Sequence, residues 1–213
     1  MQKFEIFSSR VVPLPMKDVD TDLIIPAQYL TSISREGFGQ NVFRRLRDDN
    51  PDFPFNKEEY KNAQVLVVDS NFGCGSSREH AVWALQGAGI KAILSKSFAD
   101  IFFNNSLKNG LLPITLEDAL IDKILVAAAG TDYQVTIDLD AQTVKLPDGT
   151  SASFGFDPFR KHCLLNGLDD INYILSHEAD LQKYESKRPQ FSTMPLGDKV
   201  DSKQTQPELV KAK

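Results

Sequence analysis

Asn71-Phe72-Gly73-Cys74-Gly75-Ser76-Ser77-Arg78-Glu79-His80 joins two segments of opposite character. Upstream, Val65-Leu66-Val67-Val68 is a short, continuous apolar run rich in β-branched residues, the pattern of a buried strand. Downstream, Ala81, Ala84, Leu85 and Ala88 recur at the spacing of one helical face, which predicts a helix over 78–88. The stretch between them is a glycine-rich strand-to-helix turn whose helix opens with two hydroxyls and an arginine. Free backbone N–H groups at such a helix start, the dipole behind them and Arg78 all favour a small anion, a carboxylate or a phosphate. Ser76-Ser77-Arg78-Glu79 also fits a capping box, in which a serine bonds the N3 amide and the glutamate reaches back. Capping uses one serine and the glutamate but leaves both glycines, the second serine and the arginine without a role. Other anion and nucleophile motifs do not fit. The third glycine of a dinucleotide fingerprint is missing, no Gly-Lys-Ser/Thr follows, and no serine is framed as Gly-x-Ser-x-Gly.

Working outward, the order is strand 64–69, turn 71–77, helix 78–88, strand 91–95, helix from about 98 to 107, and a short extended segment 111–114. This β-α-β order implies parallel pairing with right-handed crossovers, and ligands in such sheets sit beyond the carboxyl ends of the strands, where the turn lies. Ser97 reads as a helix cap, and Asn104, Asn105 and Lys108 as a polar helix face. Residues 3–12 form a first strand, stopped by Pro13-x-Pro15. Asp18-Val19-Asp20-Thr21-Asp22 reads as a solvated turn or, less simply, as a cation site, although it lacks the glycine and distal glutamate of a calcium loop. Residues 27–40 form a loop in which Arg35 is the only cation, a candidate for a substrate carboxylate or simply an exposed side chain. A short helix is expected at 41–47 and another at 117–129, ended by Gly130. Alternation around Tyr133-x-Val135-x-Ile137-x-Leu139, then Val144-x-Leu146 and Ala152-x-Phe154, predicts a β-meander. Helical segments run from Asp157-Pro158 to about Tyr184 with a break at Gly167. The expected organisation is one α/β domain over 1–186 and a flexible polar tail over 187–213.

Of the 213 residues, 41% are hydrophobic and 25% charged, so the chain can bury a sizeable core; the net charge of -5 argues against a general nucleic-acid binder. Two cysteines, Cys74 and Cys163, are too few for a disulfide framework, and neither has zinc-ligand spacing, so no metal is expected on this chain. Met1-Gln2-Lys3-Phe4-Glu5-Ile6 carries no apolar signal segment, and no run approaches membrane-spanning length. A cytoplasmic location, with no membrane partner, is the expectation.

Residues 71–85, NFGCGSSREHAVWAL, together with Lys96-Ser97-Phe98-Ala99-Asp100-Ile101, Gly110-Leu111-Leu112-Pro113, Val19-Asp20-Thr21-Asp22 and Phe159-Arg160-Lys161-His162-Cys163, closely resemble the small subunits of 3-isopropylmalate dehydratases. That family is similar to the swivelling β/β/α domain of aconitase, and the resemblance runs from about Phe4 to about Phe191. It implies a hydro-lyase of leucine biosynthesis that interconverts 2-isopropylmalate and 3-isopropylmalate by removing and re-adding water. It places Thr21 and Asp22 at the active site, and it makes the loop over 27–40 a determinant of which side chain is accepted. Ser76 would be the base as an alkoxide, supported by turn amides and Arg78, while Gly75, Ser77 and those amides hold a substrate carboxylate. If Ser76 were locked as a cap, the two serines could exchange roles. The resemblance also implies a 4Fe-4S cluster as Lewis acid; three cysteines hold it in such enzymes, so it is expected on a large-subunit partner, without which this chain is inactive. Alternatives are a related hydro-lyase acting on homoaconitate or a citramalate-type acid, or a non-catalytic anion-binding module. A serine hydrolase is the weakest option, because His80, His162 and His177 offer no convincing triad order.

Overall fold

A computed structural model describes residues 1–30 and 36–187. By its contacts the chain divides into two units, Met1–Tyr173 and Ile174–Lys213. The first contains one seven-stranded sheet in the order β4-β3-β2-β1-β5-β6-β7. Its strands are β1 (Phe7–Leu14), β2 (Val65–Val68), β3 (Ala92–Ser95), β4 (Leu112–Thr115), β5 (Gln134–Asp138), β6 (Thr143–Lys145) and β7 (Ser151–Ser153). Four strands, β1 to β4, pair in parallel, and β1, β5, β6 and β7 form the antiparallel meander.

The apolar run of β2 is continuous because both its faces are covered. Leu66 and Val68 point into one core with Val12, Leu14 and Ile93, whereas Val65 and Val67 point into the other with Val11, Ala92 and Leu94. The first core is closed by α1 (Thr21–Ile24) and α3 (His80–Gly87), and the second by α5 (Asp118–Ala128) and the meander. Helix α4 (Asp100–Asn109) contributes Phe102 to the first core and Leu107 to the second. The remaining helices are α2 (Arg44–Asp49), α6 (Pro158–Asn166) and α7 (Asp170–Leu175). Gly167 takes a left-handed conformation at the end of α6, so the expected helical break falls there. The second unit contains α8 (Glu178–Lys187); residues 188–213, which include nearly all of the expected tail, lie outside the described residues.

Several expected readings shift. Strand β1 does not stop at Pro13 but continues to Leu14. Val11 N–H donates to Tyr133 O at 3.0 Å on the β5 side, and two residues later Pro13 presents its missing N–H to the same edge, beyond the last β5 partner of Arg10. No ladder bond is lost there. The helix expected at 41–47 begins only at Arg44, because fully buried Phe43 adopts a positive φ of 51° and packs against Phe53 and Phe55. Within 18–22 the chain is not simply a turn. Asp20 accepts the Leu23 N–H at 2.7 Å and caps the short helix α1.

Candidate active site

Two crossings meet at the carboxyl ends of the parallel strands. The segment after β1 lies beside the glycine-rich turn after β2: Gly73 N–H donates to Val19 O at 2.8 Å, and Thr21 N–H to Cys74 O at 3.0 Å. Phe72 in turn bridges to Phe98 in the segment after β3. At Gly73, φ is +79° and a Cβ would sit 2.1 Å from Phe102 Cγ, so no side chain fits between turn and helix α4. Gly75, with φ +91°, lets the backbone pass over Asp20 and Thr21, whose nearest atoms lie 3.5 and 3.7 Å from its would-be Cβ.

This folding brings Thr21, Asp22, Gly75, Ser76 and Arg78 together. Thr21, buried to 1% exposure, places Oγ1 2.9 Å from Ser76 Oγ and accepts the Ser76 N–H at 3.3 Å. Arg78 Nη1 donates to Asp22 Oδ1 in a half-exposed ion pair. Ser76 and Ser77 are exposed, and the Ser77 hydroxyl has no hydrogen-bond partner among the described residues. The N–H groups of Ser77 and Arg78 likewise find no acceptor among the described residues. Arg35 lies outside the described residues.

The capping-box reading fails. Helix α3 starts at His80, two residues later than expected, with Glu79 at its N-cap and no side-chain cap bond. Ser76 is bound to Thr21, and the Glu79 carboxylate accepts from Asn109 Nδ2 at 2.9 Å, so neither end of the box is free to close. Ser97 is no cap either. Its Oγ accepts the Asn71 N–H at 2.8 Å, and the N-cap of α4 is Ala99.

The acids of 18–22 diverge instead of converging on a cation. Asp18 accepts from Asn71 Nδ2 at 2.7 Å, Asp20 caps α1, and Asp22 pairs with Arg78. Burial, reinforced by Asp20 and Asp18, pushes the Cys74 thiol up from its ordinary value, and burial does the same for Cys163. Both cysteines are free, and among the described residues no three His, Cys, Asp or Glu side chains converge as a metal site. The described residues therefore do not offer a ligand set for an iron–sulfur cluster. No helix among them is long and apolar enough to cross a membrane.

Two features were not read from sequence. Asn105 Nδ2 donates to Ser77 O at 3.2 Å, and Asn109 joins α4 to α3, so Asn105, read as one residue of a polar face, braces the turn together with Asn109. Their i, i+4 spacing was the available signal. His80, considered above only as a hydrolase base, packs against the rings of Phe38 and Trp83, with centroids 5.4 and 4.7 Å away.

A parallel sheet extended by a meander, with a hydroxyl pair at the carboxyl ends of its parallel strands beside amides that find no acceptor among the described residues, defines an α/β domain of the aconitase C-terminal class. The family model for the aconitase C-terminal domain matches residues 1–119, and the LeuD_N model matches 123–158. The chain belongs to the family of 3-isopropylmalate dehydratase small subunits. The small subunit from Parvibaculum lavamentivorans is 50% identical over 193 residues, covering 88% of this chain and 96% of that protein. The one from Francisella tularensis subsp. novicida is 46% identical over 188 residues, covering 88% and 99%. A crystal structure of 3-isopropylmalate dehydratase (leuD) from Methanocaldococcus jannaschii superposes with a TM-score of 0.66 at 31% identity, covering 84% of this chain and 99% of that one.

Proposed function

We propose that this chain is the small subunit of a cytoplasmic 3-isopropylmalate dehydratase, a hydro-lyase that interconverts 2-isopropylmalate and 3-isopropylmalate in leucine biosynthesis. The observation that carries the reading is the Thr21–Ser76 hydroxyl pair, 2.9 Å apart, beside the Ser77 and Arg78 amides, which have no acceptor among the described residues. A carboxylate of the dicarboxylate substrate accepts from those two amides and from the Ser77 hydroxyl, with the Gly75 backbone allowing close approach. Ser76 Oγ takes the proton from the carbon next to the carboxylate.

A serine hydroxyl is too weakly acidic to do this without support. Thr21 Oγ1 accepts the Ser76 N–H and lies 2.9 Å from Ser76 Oγ, close enough to donate its own proton to that oxygen, the direction an alkoxide requires. Arg78 adds positive charge, and Asp22 orients its guanidinium instead of contacting the substrate, since two carboxylates would repel. Arg35, which lies outside the described residues, is the further cation proposed for the substrate. This wiring supports Ser76, bonded to Thr21, as the base and Ser77, whose hydroxyl has no partner among the described residues, as the ligand.

Departure of the hydroxyl calls for a Lewis acid, and a 4Fe-4S cluster on a large-subunit partner supplies that chemistry. Assay of this chain alone, the partner alone and the reconstituted pair tests the division. Turnover is expected only from the pair, and interconversion by this chain alone would refute it. A panel of homoaconitate and citramalate-type acids with the same pair checks the substrate, for which 3-isopropylmalate should give the highest kcat/KM.

A further inference from the structure

Helix α4 carries two asparagines one turn apart, and both reach toward the turn that holds Ser76 and Ser77. Asn105 Nδ2 donates to Ser77 O at 3.2 Å. Asn109 Nδ2 donates to Glu79 Oε1 and to Asn105 O, both at 2.9 Å, while its Oδ1 accepts from Trp83 Nε1 at 3.0 Å and its carbonyl accepts from Gln86 Nε2 at 2.7 Å. Helix α4 therefore holds the turn at Ser77 and Glu79 and is itself fastened to α3 further along. In a planar trans peptide the C=O and the following N–H point in opposite directions. Drawing Ser77 O toward α4 consequently turns the Arg78 N–H away from α4, and that N–H has no acceptor among the described residues.

We infer that Asn105 is a positioning residue for the dehydratase reaction: by holding Ser77 O it aims the Arg78 N–H at the substrate carboxylate, and Asn109 keeps Asn105's helix in register with α3. The inference deepens the proposed function and rests on the turn being the carboxylate cradle. Asn105 does not touch the substrate. Its effect is on binding of a group present in both ground and transition states, so it belongs to KM more than to kcat.

The test uses the reconstituted pair with 3-isopropylmalate and three variants at this position. Asn105→Leu keeps the branching at Cγ and has no donor, and it should raise KM roughly tenfold while kcat changes less than about threefold. Asn105→Asp sets a carboxylate against Ser77 O and should raise KM further. Asn105→Gln keeps the donor on a longer arm and should recover part of the loss. A merely structural role would lower the melting temperature and leave KM alone. Wild-type KM in both the Leu and Asp variants would overturn the inference. Ser76→Ala, measured alongside, separates the two levels. If its kcat collapses while the Asn105 variants keep wild-type KM, only the positioning role is wrong; if its kcat is intact, the reading of the turn falls and the inference with it.

Discussion

The turn after β2 and the turns of the meander are all short and polar, yet they treat their backbone differently. In the meander, Asp138 Oδ1 accepts the Ala141 N–H at 2.8 Å and Asp148 Oδ1 accepts the Thr150 N–H at 2.9 Å, so each turn caps one of its own amides with its own aspartate, within three residues. The turn over 71–78 depends on distant segments. Its hydroxyl bonds Thr21, its carbonyl bonds Asn105, and its Ser77 and Arg78 amides are left without an acceptor among the described residues. A buried donor left unpaired is costly, and at an exposed, glycine-lined position the same donor is a binding group. The contrast separates turns that connect strands from the one proposed to receive an anion.

The largest effect that would sharpen this contrast is on Ser76. In the reconstituted pair, Ser76→Ala should lower kcat by about 10²–10⁴-fold, the usual contribution of a positioned base, while Ser77→Ala should act mainly on KM. Exchange of those two signatures would reverse the assignment of base and ligand. Next, Arg78→Gln should reduce kcat/KM by roughly 10–100-fold through loss of a charged donor, read by steady-state kinetics. Thr21→Val, nearly isosteric, should lower activity by about tenfold and stability by about 0.5–1.5 kcal/mol in chemical denaturation, because the Ser76 N–H loses its protein acceptor. Unchanged activity there would show that the hydroxyl pair is incidental.

The smallest effect belongs to the meander. The Lys123 ammonium and the Thr150 N–H hold the Asp148 carboxyl well below the usual carboxylate range. A lowered folded pKa makes the contribution present above the unfolded value of about 4 and lost as pH falls toward the folded one. The pair is at the surface, so the loss is slight. Asp148→Asn should flatten that part of the melting temperature against pH and leave the activity of the pair unchanged at neutral pH. Loss of activity would break the division between connecting turn and binding turn.

Much of the architecture was legible because it is encoded locally. Val65–Val68 reads as a buried strand from its own composition, and Gly167 marks a helix end from its own conformational freedom. The misread positions were those where a distant group outcompeted a local rule. Ser76 and Glu79 have the composition of a capping box, yet Thr21 and Asn109 take their hydrogen bonds. Pro13 is a strand breaker only where its edge is paired, and pairing is a property of the sheet.

From the sequence alone came the glycine-rich turn between strand and helix, the parallel order of the central strands, the meander, and the motifs that mark the family. These depend on side-chain period and on backbone freedom over a few neighbours. Only the tertiary structure decided that Thr21 would meet Ser76 across 55 residues, that Asp22 would take Arg78, and that α4 would orient the Ser77 peptide. Such contacts follow from which strands lie side by side, and no local pattern carries that information.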